Sequence, residues 1–192
     1  MSSNISILGF AGSLRKNSYN KALLHAATKL VPQNANLEIF DLEGIPLYNQ
    51  DHEHQPPERV KEFKAKIAAA NAILIACPEY NYSIPGVLKN AIDWASRPPE
   101  DNPFDEKPAA IISASPGRLG GARAQYHLRQ TMVALNMHQV NWPEVMLPNA
   151  GTEIDENGKI KNEKTLELIG ELLQNLVNLA NILKTSNLTT TP

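Results

Sequence analysis

Hydrophobic and polar positions follow two alternating patterns along the chain. Continuous apolar runs at Ile5 to Phe10, Ala72 to Cys77 and Ala109 to Ala114 are typical of strands covered on both faces. Regular alternation over Leu37 to Leu42 predicts another strand, and a last short strand is expected at His138 to Trp142 or near Val145. Apolar residues at helical spacing predict helices over Asn20 to Leu30, Glu58 to Ala70, Gly86 to Ser96, Ala122 to Leu135 and, as a leucine stripe, 166 to 183.

This order of elements predicts the fold class. Strands that alternate with helices form parallel sheets with right-handed crossovers and helices on both faces. The chain shows no internal repeat and no linker that would divide it. We therefore expect one α/β domain over residues 1–184, a doubly wound parallel five-stranded sheet in three layers, followed by a disordered tail over residues 185–192.

Composition and charge narrow the classes of partner. With 18 Lys and Arg against 20 Asp and Glu, the net charge of -2 gives no basic surface for nucleic acid. No apolar run approaches the roughly 18 residues of a membrane span, and the first residues lack the basic region of a targeting segment. The single cysteine, Cys77, is expected to be a packed core residue and fits a reducing compartment. We expect a cytoplasmic protein without membrane or nucleic-acid partners.

The loops after three of the strands carry unusual chemistry. Ligands of doubly wound sheets bind outside the carboxyl ends of the strands. The first of these loops, 12–20, supplies hydroxyls, cations and the N-terminus of a helix, which suit a phosphate. It lacks both the GxxxxGK[ST] and the GxGxxG spacing, which favours a terminal monophosphate over a reacting triphosphate or a dinucleotide. An ordinary helix cap flanked by solvated cations is the alternative.

The other two loops could hold a flat ring. Loop 78–86 contains two tyrosines and an amide that can flank a planar group, although the tyrosines could instead cover the end of the sheet. Loop 115–121 has three glycines in five residues, which allow a close backbone approach or form a plain turn. Together the three loops predict a ligand crevice at one edge of the sheet.

The motifs of these loops resemble a known family. Gly12-Ser-Leu-Arg-Lys-Asn-Ser18, the segment from Pro78 to Trp94, and Gly120-Gly-Ala-Arg123 are similar to the NAD(P)H-dependent FMN reductases, above all to their bacterial quinone and chromate reductase branch. The resemblance extends from Ile5 to Leu183 and implies a flavodoxin-like fold with non-covalent FMN. Pro116 departs from the family, where a larger apolar residue is expected.

The resemblance also assigns residues to the cofactor. It implies that Ser13, Arg15, Ser18 and Asn20 hold the FMN phosphate, with Tyr19 close by. It implies that Pro78, Glu79, Tyr80 and Asn81 line the ribityl chain and ring, and that Ser115 and Gly117 meet the ring from the other side.

The activity implied is a ping-pong transfer of two electrons. NAD(P)H passes a hydride to the flavin and leaves, and then a quinone or a similar small acceptor, such as chromate or an azo compound, takes its place. We nominate no side chain as a catalytic acid or base and predict no metal site.

The family resemblance also implies a homodimer or homotetramer. In it, the helix Gly86 to Ser96 supplies much of the dimer contact, and Arg123, Tyr126 and Glu144 are candidates for a second contact.

Three other functions fit parts of the pattern. A flavodoxin-type electron carrier would share fold and cofactor without oxidising NAD(P)H itself, but such carriers are typically strongly acidic. A receiver domain needs an acidic residue where Cys77 stands. A dinucleotide dehydrogenase could use Asp41 for the ribose, but the glycine fingerprint is missing.

Overall fold

Strands and helices alternate along the chain, as the hydrophobic pattern predicts. The computed structural model describes residues 4–189, with side chains as far as residue 186. The strands are β1 (Ile5–Ala11), β2 (Ala35–Phe40), β3 (Ala72–Ala76), β4 (Pro108–Ala114), β5 (His138–Gln139) and β6 (Val145–Leu147). The α-helices are α1 (Tyr19–Thr28), α2 (Glu58–Ala69), α3 (Gly86–Ala95), α4 (Ala122–Ala134), α5 (Ala150–Glu153) and α6 (Glu163–Thr189).

All strand pairs of the sheet are parallel. The strand order is β2-β1-β3-β4-β5, and β6 also pairs with β4. The order reverses between β1 and β3, whose ends are in register at Ala11 and Ala76. The loops after β1, β3 and β4 therefore leave the same edge of the sheet at the switch point in strand order.

The fifth position of the sheet is divided between two short strands. β5 pairs with Pro108 and Ala109 at the start of β4, whereas β6 pairs with Ile112 to Ala114 at its end. Both places considered for a last strand are thus used, and the sheet has six strands in five positions. The interruption contains Pro143, which has no backbone N–H to donate to a neighbouring strand.

Helices cover both faces of the sheet, which gives three layers. Along β1, Ile5 and Ile7 pack on one face with α1 and α6, and Leu8 and Phe10 pack on the other with α2, α3 and α4. This alternation follows from the two-residue repeat of a strand. Because both faces are buried, β1, β3 and β4 are almost continuously apolar.

The last helix runs further than the leucine stripe indicates. Residues 185–189, which we expected to be disordered, continue α6, and residues 190–192 lie outside the described residues. No glycine or proline interrupts this stretch, and the hydroxyls of Thr185 and Ser186 donate to the carbonyls of Asn181 and Ile182 one turn earlier. The end of the domain near residue 184 stays a prediction.

Within residues 4–189, no helix has the length and apolarity needed to span a bilayer.

Candidate functional site at the carboxyl edge of the sheet

The loop after β1 is a compact turn rich in hydrogen-bond donors. Gly12 lies in tight quarters there, because a Cβ atom would lie 3.0 Å from Leu88 Cβ and 3.1 Å from Pro78 Cδ, so both neighbours would have to shift to admit a side chain. Ser13 is buried, and its hydroxyl accepts a hydrogen bond from the Arg15 backbone N–H at 3.3 Å. Within residues 4–189, no protein acceptor is present for the backbone N–H groups of Ser13, Leu14, Lys16 and Asn17. The loop can therefore donate several hydrogen bonds to an anion.

The end of this loop starts helix α1. Ser18 is the N-cap, and its hydroxyl accepts from the Lys21 N–H at 3.4 Å. The exposed Arg15 guanidinium lies 4.8 Å from the centre of the Tyr19 ring. This cation–π interaction keeps the guanidinium near the start of the helix. A cation and the positive end of a helix are thus brought together, which favours binding of a phosphate.

Asn20 faces the sheet. It is buried, its Nδ2 donates to the Ala114 carbonyl at 2.9 Å, and its Oδ1 accepts from the Ala114 N–H at 3.0 Å. These two bonds fasten the first turn of α1 to the end of β4. The side chain is therefore an anchor between the first and third loops.

The loop after β3 contains a tight reverse turn. Tyr80 and Ser83 exchange two backbone hydrogen bonds of 3.1 and 3.0 Å, and the two residues between them, Asn81 and Tyr82, have φ values of 49° and 68°. This left-handed pair is the geometry of a type I′ turn, which is uncommon for an aromatic residue. The rings of Tyr80 and Tyr82 are exposed, whereas Pro78 is buried at the start of the loop.

Glu79 connects this loop to helix α4. Its carboxylate accepts from the Arg123 backbone N–H at 3.1 Å and from the Arg123 guanidinium at 2.6 Å. Gly121 at the N-cap position has no side chain to cap the helix, so the Glu79 carboxylate supplies the acceptor there. The guanidinium also lies 3.7 Å from the centre of the Tyr82 ring.

The loop after β4 depends on two glycines. Gly120 and Gly121 have φ values of 60° and 95°, and a Cβ atom on either would lie 2.8 Å from its nearest neighbour. The Ser115 hydroxyl accepts from the Gly117 N–H at 3.1 Å, and the Gly117 carbonyl accepts from the Asn149 N–H at 3.3 Å, just after β6. The backbone at Gly117 is left open to solvent, as a ring-binding surface would need.

The second and third loops enclose a cavity of about 590 Å³. Of the predicted residues, Glu79, Ser115 and Gly117 line it. The first loop adjoins the second, because the hydroxyls of Ser13 and Tyr80 lie 3.3 Å apart. Four further residues line the cavity, Arg118, Leu119, Gly121 and Arg123. The first three belong to the predicted third loop, and the sequence suggests that Arg118, with Pro116, shapes the mouth that admits the acceptor. Sequence reasoning placed Arg123 at a subunit contact and missed it here, and the signal for it was the glycine pair that starts α4.

A larger cavity, of about 920 Å³, lies on the outer side of α1. It follows the helix from Arg15 to Leu30 and is closed by the hairpin around Gly158. Only the part at 15–19 belongs to the predicted crevice. We therefore place the site at the smaller cavity, which the second and third loops line and which the first loop adjoins through Ser13 and Tyr80.

Two neighbouring groups have pKa values that are shifted by their surroundings. Burial, with a smaller contribution from Glu79, raises the pKa of the Cys77 thiol to about 12, so it is protonated and unreactive at neutral pH. A hydrogen bond to Glu144, 3.2 Å away, raises the pKa of Tyr126. Arg123, Tyr126 and Glu144 thus contact partners within their own chain, and their part in a second subunit contact stays a prediction.

Comparisons with known proteins show which family this chain is similar to. A sequence profile of the NADPH-dependent FMN reductases matches residues 5–152. An NAD(P)H-dependent FMN reductase of Pseudomonas aeruginosa is 55% identical over 177 residues, 92% of this chain and 95% of that protein. A 2-hydroxy-1,4-benzoquinone reductase of a Burkholderia species is 46% identical, covering 80% of this chain and 84% of that protein. The solved structure of FerB, a flavoenzyme NAD(P)H:(acceptor) oxidoreductase of Paracoccus denitrificans, has a TM-score of 0.83 at 33% identity, covering 92% of this chain and 97% of that chain.

These similarities confirm the family predicted from the motifs and the flavodoxin-like fold. They also confirm, at the level of the family, an oxidoreductase with FMN as cofactor and NAD(P)H as electron donor. The roles of the individual site residues stay predictions. Because the family profile matches residues 5–152 and relatives align along nearly the whole length of this chain, it belongs to the NADPH-dependent FMN reductase family.

Proposed function

We propose that this protein uses bound FMN to oxidise NAD(P)H and to reduce quinones and similar small acceptors in a ping-pong cycle. The observation that carries the proposal is the meeting of three loops: Ser13 touches Tyr80, and Glu79 shares a cavity with Ser115 and Gly117. A site made by three loops at the switch point suits a ligand with a phosphate at one end and a ring at the other.

The donors of the site fit FMN. Among the described residues 4–189, four N–H groups of the first loop have no protein acceptor. Together with the buried Ser13 hydroxyl and the Arg15 guanidinium, they match the oxygens of a phosphate dianion. The exposed Gly117 and the cavity that it lines match a ring that must be reached from solvent. We assign the phosphate to Ser13, Arg15, Ser18 and Tyr19, and the ribityl chain and ring to Pro78, Glu79, Tyr80, Asn81, Ser115 and Gly117.

Two of the predicted ligands, Asn20 and Glu79, already have their side chains bound to other parts of the chain. Asn20 uses both ends of its amide on Ala114, so we assign it to fixing the first loop in place. The Glu79 carboxylate is held by Arg123 at the start of α4, so its charge is balanced before any ligand binds. Pro78 and Gly12 let the two loops approach each other closely.

FMN, when bound, supplies the hydride acceptance and the two-electron delivery. The chain contributes binding and orientation: hydrogen-bond donors fix the phosphate end, and the glycine loop leaves one side of the cavity open. NAD(P)H and the acceptor would occupy this side in turn, which is the reason to expect ping-pong kinetics. Because Cys77 is buried and protonated, no thiol of the chain takes part.

Quinones are the proposed acceptors because the relatives include a 2-hydroxy-1,4-benzoquinone reductase. Chromate and azo compounds would be further acceptors, since an open site over a flavin selects weakly among oxidants.

We also propose a homodimer through α3 and its preceding loop, which can pair into a homotetramer through Arg123, Tyr126 and Glu144. Cytoplasmic residence stays our prediction.

Spectroscopy of the purified protein tests the proposal. We expect a flavin absorption spectrum, either as purified or after reconstitution with FMN, and bleaching of that spectrum by NADPH or NADH without oxygen. Addition of 1,4-benzoquinone should then restore the spectrum with one quinone consumed per flavin. Steady-state rates at several NADPH and quinone concentrations should give parallel double-reciprocal lines.

Three other results would contradict parts of the proposed function. Failure to bind FMN would overturn the assignment of the site. Bound flavin that neither nucleotide reduces would support the flavodoxin-type carrier instead. Intersecting double-reciprocal lines would exclude the ping-pong order, because both substrates would then occupy the site together.

A further inference from the structure

The reverse turn Tyr80–Ser83 is held from two sides, by the first loop and by α4. On one side the Tyr80 hydroxyl lies 3.3 Å from the hydroxyl of Ser13 in the first loop. On the other side the Ser83 hydroxyl lies 2.9 Å from His127 Nδ1 on α4. The turn therefore spans the distance between the first loop and α4.

Helix α4 contacts this turn twice from a single face. Arg123 and His127 are four residues apart, so they project from the same side of the helix, one turn apart. Arg123 lies against the Tyr82 ring at 3.7 Å, and His127 bonds Ser83, the next residue. Arg123 is itself oriented by Glu79, which accepts its guanidinium at 2.6 Å.

The backbone of the turn shows why such external contacts are needed. Both central residues are left-handed, and for the bulky Tyr82 this conformation carries a steric cost. Strained residues persist where surrounding contacts determine the conformation, and they concentrate at binding sites. Here the contacts are those to α4, and Arg123 lines the cavity itself.

We propose that His127 and Arg123 are positioning residues for the electron acceptor. By holding Ser83 and the Tyr82 ring, they fix the turn that lies against Arg123, a residue of the cavity lining, and so limit the size of the acceptor that can enter. Neither residue is required to touch the reacting atoms. The inference rests on the proposed function, since it concerns acceptors that enter the flavin site.

A double-mutant cycle on Ser83 and His127 tests this role. For Ser83→Ala, His127→Ala and the double variant, kcat/KM would be measured with 1,4-benzoquinone and with the larger menadione. Loss of a single hydrogen bond should change the preference by about three- to tenfold in favour of menadione, mainly through KM for the acceptor. Because the two groups form one contact, the double variant should be no worse than either single variant.

Three comparisons separate positioning from general damage. His127→Gln, which can still bond Ser83, should restore most of the wild-type preference. Gln130→Ala, at an exposed position on the same helix, should leave the preference unchanged. Arg123→Lys should shift the preference in the same direction as His127→Ala, because the flat guanidinium that covers Tyr82 is lost.

The readouts also distinguish failure of this inference from failure of the proposed function. Flavin binding and anaerobic bleaching by NADPH report on the function and should be close to wild type in Ser83→Ala and His127→Ala. If bleaching is intact but the benzoquinone to menadione preference is unchanged, or if the Ser83 and His127 effects simply add, the positioning role is wrong. Equal loss with both quinones would likewise overturn it, since that is the result of general destabilisation.

Discussion

The side chain of Asn20 forms two hydrogen bonds with the backbone of Ala114, at 2.9 and 3.0 Å. The two residues are 94 positions apart in the chain and belong to α1 and to the end of β4. The Asn20 amide uses both its nitrogen and its oxygen on one backbone residue, as a neighbouring strand would do in a sheet. It fixes the start of the first loop relative to the third, before any cofactor is present.

We expect Asn20→Ala to destabilise the protein through this pairing. The substitution leaves a buried N–H and a buried carbonyl of Ala114 without partners, which should lower the free energy of unfolding by about 2–3 kcal/mol. Urea unfolding without added FMN measures the effect. Asn17→Ala, in the exposed part of the same loop, should change the value by less than about 0.5 kcal/mol. An Asn20→Ala protein as stable as wild type would contradict the anchoring role.

Arg15→Ala should weaken FMN binding. The guanidinium is the cation of the first loop that lies beside the α1 N-terminus, and a charge-assisted bond to phosphate should be lost. We expect the Kd for FMN, measured by quenching of flavin fluorescence, to rise about tenfold at low salt and less at high salt. Lys29→Ala removes an exposed cation at the other end of α1 and serves as the control. Equal Kd values for the two variants would rule out the phosphate role of Arg15.

Alanine at Gly121 and at Gly170 should have opposite effects on stability. At Gly121 a Cβ atom would lie 2.8 Å from Ser113 Cβ at a φ of 95°, so we expect a loss of about 2–4 kcal/mol in the free energy of unfolding. At Gly170, inside α6, nothing lies within 4 Å of the added Cβ, so alanine should add about 0.5–1 kcal/mol. Thermal or urea unfolding of both variants checks the signs. A neutral Gly121→Ala would show that the third loop can adopt another path.

Cys77 should be inert in the native protein and reactive after unfolding. Its pKa is raised from 9.0 to about 12, so the native thiol holds its proton at pH values where the unfolded thiol loses it. Unfolding therefore releases a proton above about pH 9, and this group makes the free energy of unfolding fall as pH rises from about 9 to about 12. At pH 8.5, a disulfide reagent such as 5,5′-dithiobis(2-nitrobenzoate) should react slowly with native protein and stoichiometrically in urea. Rapid reaction of the native protein would contradict the burial of this thiol.

The sequence predicts the local features of this molecule well. Apolar runs such as Ala72 to Cys77 mark the buried strands because a strand covered on both faces has no polar side to show. The loops at Gly12, Pro78 and Ser115 could be placed at one edge because parallel strands all end on the same side. The predicted and observed ends of the helices agree within a few residues. Pro85 and the glycines before Ala122 mark the starts of α3 and α4, because these residue types favour turns.

Long-range pairings escaped prediction. Nothing near Asn20 indicates that its partner is Ala114, and nothing near Glu79 points to Arg123, which we expected at a subunit contact. Such pairs depend on how separate elements dock, not on local pattern. The left-handed Tyr82 was equally hidden, because an aromatic residue is a poor signal for that conformation. The continuation of α6 through Thr189 shows that a helix can persist beyond its apolar stripe when no residue breaks it.

The divided fifth position of the sheet has a consequence for assembly. A long unpaired edge strand offers a row of backbone donors and acceptors that can template β-pairing with another chain, and proteins avoid this with short or broken edges. Here the edge beside β4 consists of β5 and β6, which are only two and three residues long. Another copy would find too few consecutive backbone groups to extend the sheet. This edge is therefore protected against aggregation, and any association of copies on this side has to use helix and loop surfaces.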